Sequence, residues 1–90
     1  MSELTPGNVF KTDFRRAGST GIIQVVYGDS DVHLFGSLDN DNYVLIETFV
    51  SSTIKEIALC TYFKFSTDAA NADATAVTTT KLILEETIGG

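Results

Sequence analysis

The chain has 90 residues, of which 43% are hydrophobic and 20% charged, and its formal net charge is −6. This composition is typical of one packed globular domain and argues against intrinsic disorder. The acidic charge argues against nucleic-acid binding, because such binding depends on Lys and Arg side chains that neutralise phosphates.

A domain of this length needs additional stabilisation, which small domains obtain from disulfides, a bound metal or oligomerisation. Cys60 is the only cysteine and His33 the only histidine. An intrachain disulfide is therefore impossible, and the four nitrogen or sulfur ligands of a structural zinc site are lacking. We expect no metal and no cofactor. Instead we expect a homo-oligomer or a subunit docked on a larger assembly.

No apolar run approaches the roughly 18 residues of a membrane span. The N-terminal sequence MSELTPGNVF also lacks the basic and apolar regions of a secretory signal. The sequence therefore predicts no membrane contact and synthesis in a cytoplasm.

The N-terminal part of the chain differs in charge from the remainder. Residues 1–16 are net basic, whereas the rest of the chain is strongly acidic. We predict an N-terminal arm over residues 1–19 and a body over residues 20–90. One interpretation is that the arm reaches an acidic surface on a neighbouring subunit, and the alternative is a frayed, solvated terminus. The arm carries these basic and aromatic candidates for a partner contact: Phe10, Lys11, Phe14, Arg15 and Arg16.

Most of residues 21–86 follows the two-residue period of β-strands. These residues are rich in Val, Ile, Thr, Tyr and Phe and are interrupted by Gly, Asp and Asn at turns. The pattern predicts an all-β fold, a small antiparallel β-sandwich or jelly-roll-like module with an extended N-terminal arm. The predicted strands cover residues 22–27, 31–38, 43–50, 54–59, 61–67 and 77–86. Residues 28–30 are predicted to form a tight hairpin between the first two.

The alternation also predicts which side chains are buried. Phe63 and Phe65 share the buried face of one strand, and Tyr62 is presented on the opposite face. In an earlier strand, Phe35 falls on the face of the polar residues, so we interpret it as an exposed contact residue. Phe35 and Tyr62 are therefore the candidates for a partner interface on the body.

Three groups of residues are candidates for chemistry, and for each we favour a structural role. Residues 39–42 carry the oxygen ligands that calcium prefers, but Asp and Asn are equally suited to a hairpin turn. His33 beside Asp29 or Asp31 has the residue types of an oriented general base, yet no motif marks a nucleophile. Cys60 lies in an apolar stretch, where we expect a buried, inert thiol. Phosphate-binding and hydrolase motifs are absent. We therefore predict that the protein is not an enzyme.

The run GSLDNDNYVLIETFVSSTIKEIALCTYFKFSTD resembles small β-sandwich proteins encoded among the structural genes of tailed bacteriophages. In those proteins a Ser-Leu-Asp turn leads into an aromatic strand, as residues 37–39 here precede Tyr43. A later strand carries an aromatic pair, here within residues 62–65. A polar loop and a final apolar strand then follow, here DAANADATA and KLILEE. The layout is also similar to the discoidin-like jelly roll, with Asn40-Asp41 in place of Asp-Gly and Tyr43 in place of Trp.

The resemblance implies a virion structural protein. We expect a capsid decoration or cement protein that contacts the major capsid protein or other virion subunits and stabilises the particle. A minor neck or tail component is one alternative. A carbohydrate-binding module, with calcium at residues 39–42, is another, although the absence of Trp counts against sugar stacking.

Overall fold

The computed structural model describes residues 2–12, 20–73 and 78–86. These residues form eight β-strands and no helix, which confirms the predicted all-β fold class. None of the described segments forms a helix able to cross a membrane. The strands, numbered in chain order, are β1 (Ser2–Leu4), β2 (Phe10–Lys11), β3 (Thr20–Val26), β4 (Val32–Ser37), β5 (Val44–Phe49), β6 (Thr53–Ala58), β7 (Tyr62–Ser66) and β8 (Lys81–Glu86).

The strands form two antiparallel four-stranded sheets that pack face to face. Sheet A has the order β1-β8-β3-β6, and sheet B has the order β2-β7-β4-β5. The chain passes repeatedly between the sheets, and the first and last strands lie side by side in sheet A. This is the arrangement of an eight-stranded jelly roll. The predicted β-sandwich is thus confirmed, and its topology is now defined.

The core lies between the sheets and is built by alternating residues of the central strands. In sheet A, Ile23 faces Leu84 and Val25 faces Leu82, and all four side chains are buried. Sheet B contributes Phe63 and Phe65, as predicted, together with the other core residues of that sheet, Val32, Leu34 and Phe49. Full burial of each such side chain stabilises the fold by about 1.5 to 3 kcal/mol.

The described part of the predicted arm lies within the sandwich. β1 pairs with β8 at the edge of sheet A, and β2 pairs with β7 at the edge of sheet B. Leu4 is buried in the core, and the buried Thr12 hydroxyl donates to the Cys60 carbonyl at 3.0 Å. Residues 2–12 are therefore edge strands and their connection. Residues 13–19 of the predicted arm lie outside the described residues.

The connection between β3 and β4 differs from the prediction. Residues 28–30 do not form a hairpin, because β3 lies in sheet A and β4 in sheet B. The loop is bound instead to the segment that precedes β8. The Asp29 carboxylate accepts from the Thr78 hydroxyl at 2.8 Å and from the Thr79 amide at 3.0 Å. The Gly28 amide donates to the Thr80 hydroxyl at 2.9 Å. These long-range contacts let the chain cross between the sheets at this point.

Candidate functional site

Exposed apolar side chains are concentrated around β5 and β6. Isolated exposed apolar residues are normal on protein surfaces, but contiguous ones often mark an interaction site. Six large apolar side chains in this part of the fold are between 43 and 77% exposed: Leu38, Val44, Leu45, Ile46, Val50 and Ile54.

A β-bulge shapes the first of these exposed surfaces. Leu34 of β4 faces Glu47 of β5. The next residue, Phe35, faces Leu45, so Ile46 is an extra residue on β5. The change of register interrupts the alternation of buried and exposed positions. As a result, three consecutive apolar side chains of β5 are exposed.

We call these three residues, Val44, Leu45 and Ile46, the β5 edge. Within the described part of the chain, β5 pairs only with β4, so its other side is a sheet edge. The remaining half of β5 carries Glu47, whose carboxylate lies 3.1 Å from the ammonium of Lys55 on β6. Charged side chains on edge strands hinder pairing with other chains. The β5 edge is the half of the strand without such a charge.

The second exposed surface is the outer face of sheet A. Its centre is Gln24, which faces Ile54 on β6 and the half-buried Ile83 on β8. Ile22 and Val26 lie on the same face of β3, and both are exposed. The charged residues of this face lie around the apolar centre: Glu56 and Glu85 face Ile22, and Lys81 faces Val26. An apolar centre with a polar rim is the usual anatomy of a protein interface.

A pocket of about 350 Å³ lies beside the β5 edge, at the end of the sandwich that carries the β4–β5 connection. Its walls are mainly apolar, and its lining residues are Gly36, Ser37, Leu38, Asp39, Asn42, Val44, Ile46 and Cys60. A Cβ atom on Gly36 would lie only 2.8 Å from Cys60 Sγ, so the absence of a side chain there lets Cys60 and Ile46 pack closely against β4. The Cys60 thiol is half-buried and donates to the Tyr62 carbonyl at 3.1 Å. Burial raises the pKa of this thiol and keeps it protonated.

The Asp39 carboxylate organises the turn that joins β4 to β5. It accepts from the amides of Asp41 and Asn42, from the Asn42 side chain and from the Ser37 hydroxyl, at 2.8 to 2.9 Å. The two amide bonds are the main reason why the pKa of Asp39 lies far below its ordinary value. Asn40 adopts the left-handed conformation, with φ of 60°. The predicted hairpin turn is therefore confirmed.

His33 is not paired with either of the predicted aspartates. Its Nδ1 atom lies 2.9 Å from the Thr48 hydroxyl, its cross-strand neighbour on β5. Asp31 accepts from the Tyr27 hydroxyl at 2.8 Å, and Asp29 bonds to the segment before β8. The residues needed to orient a general base thus have other partners. Across the described ranges, no three His, Cys, Asp or Glu side chains come together as a potential metal site.

The predicted contact residues of the N-terminal segment lie against the domain itself. Phe10 is half-buried and packs against the core, opposite Phe63. Lys11 is exposed, and its Nζ atom lies 6.0 Å from the centre of the Tyr62 ring. Lys11 and Tyr62 are thus the two predicted contact residues that the structure brings together. Three others, Phe14, Arg15 and Arg16, fall outside the described residues.

The expectation that Phe35 is exposed is wrong, because only 5% of its surface is accessible. Phe35 lies on the outer side of sheet B, on the central strand β4. Leu45 and Lys64 face it from the two neighbouring strands. Lys64 is itself held over the Tyr43 ring at 4.5 Å and pairs with Asp73. Neighbours on both sides therefore cover a residue that alternation alone places in solvent.

None of the family models, curated proteins or solved structures that were compared with this chain matches it.

Sequence reasoning did not identify either exposed surface. Val44, Leu45 and Ile46 belong to an unbroken apolar run, which is typical of a strand buried on both faces. The only sequence signal for an exposed surface was the length of this apolar run and the charged Glu47 that directly follows it. The position of β5 at the edge of sheet B, which makes the run exposed, depends on long-range pairing.

Proposed function

We propose that this protein is a structural subunit of a tailed-bacteriophage virion, a capsid decoration or cement protein that joins neighbouring subunits. The observation that supports this function is the presence of two distinct exposed apolar surfaces on one small sandwich. The β5 edge lies on sheet B, and the second surface is the outer face of sheet A, so the two surfaces lie on different layers of the sandwich. A subunit that bridges two neighbours needs two such surfaces.

We assign the outer face of sheet A to the contact with the major capsid protein. Ile22, Val26 and Ile54 form its exposed apolar centre. Burial of this centre would be favourable by about 25 cal/mol for each Å² of apolar surface removed from water. The charged rim, with Glu56 and Lys81 at opposite ends of the face, would set the orientation of the contact.

The jelly-roll topology supports this function by analogy. Jelly rolls occur in viral capsid domains, and they also occur in lectins and cupins. The fold alone therefore does not identify a function. It agrees with the resemblance of residues 20–86 to phage structural proteins, and the two exposed surfaces add a physical reason for a role in assembly.

The test is co-sedimentation of the purified protein with phage particles that lack it. We expect the parent chain to bind and Ile54→Lys to bind much more weakly, because the substitution places an ammonium group in the apolar contact. Val9→Lys is the matched control, since Val9 is also an exposed apolar residue but lies outside both surfaces. It should bind as the parent does.

Failure of the parent chain to bind any particle would contradict the proposal, and so would full binding by Ile54→Lys. Labelling of bound particles distinguishes a capsid position from the neck or tail. Specific binding of the parent to a glycan array, without binding to particles, would favour the carbohydrate-binding alternative.

A further inference from the structure

We propose that the β5 edge pairs with the β5 edge of a second copy of this chain. The two strands would run antiparallel about a two-fold axis and join two four-stranded sheets into one continuous sheet. This inference rests on the proposed function in taking the β5 edge as a subunit contact, and it names the partner at that contact.

The free side of β5 suits the addition of a further strand. In the described part of the chain, one side of β5 pairs with β4 and the other side has no neighbouring strand. The backbone groups of an edge strand are a template for another strand, and addition of a strand provides hydrogen bonds without a specialised pocket. The exposed side chains of Val44, Leu45 and Ile46 would provide apolar contacts in addition.

This edge is also self-complementary. In an antiparallel pair about a two-fold axis through Leu45, this residue faces its own copy. Val44 then faces Ile46 of the second copy, and Tyr43 faces Glu47. The pairs formed by Leu45, Val44 and Ile46 are therefore apolar on both sides. The remaining pair places the Glu47 carboxylate opposite the uncharged ring of Tyr43. No like charges are opposed, which is a requirement for stable cross-strand pairs.

The distribution of charge favours the same partner. Each copy carries a net charge of −6, so two copies repel each other over most of their surfaces. Residues 43–50 contain one charged residue, Glu47, and Lys55 neutralises it at 3.1 Å. This edge is therefore a place where two acidic molecules can approach closely. A basic partner would gain more at the carboxylates of Asp39 and Asp41 than at a neutral edge.

The geometry of β5 also limits the assembly to a dimer at this edge. The bulge at Ile46 and the Glu47–Lys55 pair confine favourable pairing to the first half of the strand. Because both copies use the same surface, the contact is closed and does not propagate into a filament.

The test is analytical ultracentrifugation of the full-length purified protein in the absence of particles. We expect the parent chain to be a dimer that dissociates on dilution. Leu45→Lys should be monomeric at the same concentrations, because it opposes two ammonium groups at the two-fold axis. Val9→Lys, the matched control for charge and exposure, should remain a dimer.

A second variant tests the register even if Leu45→Lys fails to fold. In a Cys60→Ser background, Leu45→Cys should form a disulfide-linked dimer on mild oxidation, since residues that face each other on paired strands lie within disulfide distance. Val9→Cys in the same background should not. A monomeric parent at all concentrations, or no cross-link through Leu45→Cys, would overturn the inference.

The outcome is separable from that of the proposed function. A monomeric parent that still binds phage particles would refute only the pairing of β5. A dimer that binds no particle would refute only the virion role.

Discussion

Phe63 and Phe65 occupy the centre of the core from one face of β7, and both are almost completely buried. Truncation of such a side chain removes apolar contacts and leaves a cavity, which costs about 3 to 5 kcal/mol. Single domains have total stabilities of only about 5 to 15 kcal/mol. We therefore expect Phe65→Ala to lose most of its stability, or to fail to fold, in urea denaturation.

Leu38→Ala is the control for this prediction, because Leu38 is 77% exposed. It should change stability by no more than about 0.5 kcal/mol. An unchanged unfolding midpoint for Phe65→Ala would mean that the face of β7 assigned to the core is wrong.

Asp39 gives the turn between β4 and β5 a defined dependence on pH. Its pKa is lower in the folded chain than in the unfolded chain, chiefly because two backbone amides donate to its carboxylate. A lowered folded-state pKa stabilises the protein at pH values above the unfolded value of about 3.9, and this contribution is lost as the pH falls. The pKa of Asp29 is lowered as well, mainly by the Thr78 hydroxyl, and contributes with the same sign.

We therefore expect the thermal unfolding midpoint to fall as the pH is lowered below about 4. Asp39→Asn should reduce the midpoint at neutral pH and flatten this dependence, because its amide nitrogen cannot accept from the Asn42 side chain. Asp41→Asn is the matched control, since the Asp41 carboxylate accepts none of the bonds that hold the turn. Equal pH profiles for the parent and Asp39→Asn would refute this role of Asp39.

The first two strands are short, but they complete both sheets. β1 pairs with the edge of β8 that faces away from β3, and β2 pairs with the edge of β7 that faces away from β4. Leu4 and Thr12 are buried at these positions. Deletion of residues 1–12 would therefore expose apolar core surface and two long sheet edges. We expect the truncated chain to unfold at a lower urea concentration than the parent and to aggregate more readily.

The control for the truncation is Glu3→Ala, which removes an exposed side chain of β1 and leaves both strands in place. It should melt as the parent does. If the truncated chain had the parent's unfolding midpoint, residues 1–12 would be an accessory arm and not part of the folding unit.

Local patterns predicted the strands well but not their partners. The Phe63–Phe65 pair is a local property, so the sequence revealed this strand and its buried face. The strand at β3 was also predicted, but its apolar residues on both faces did not reveal which face is buried. Whether two successive strands share a sheet depends on distant residues. The loop at residues 28–30 has the composition of a hairpin turn, yet its polar groups bond to Thr78, Thr79 and Thr80.

The candidate surfaces were less predictable, for a related reason. Burial of Phe35 depends on neighbours from two other strands, and exposure of Val44 depends on the place of β5 at a sheet edge. Neither property can be read from alternation. The bulge at Ile46 further shifts the register at a position that no local sequence signal marks.

For the molecule as a whole, the net charge and the proposed pairing of β5 together predict how dissociation of the dimer depends on salt concentration. Two copies that each carry a charge of −6 repel each other across the solvent. Raising the ionic strength from about 0.01 to 0.1 M shortens the screening distance from about 30 to 10 Å. The dimer should therefore dissociate less at higher salt, as measured by ultracentrifugation. Weaker dimerisation at higher salt would indicate a contact based on opposite charges instead of the apolar β5 edge.

The proposed virion role can be decided by quantitative mass spectrometry of purified particles from a phage that encodes this chain. A cement protein that bridges capsid subunits should be present in a fixed ratio to the major capsid protein and should remain after extensive washing. A few copies per particle would place the protein in the neck or tail. Absence from particles, despite abundant protein in the infected cell, would contradict a structural role in the virion.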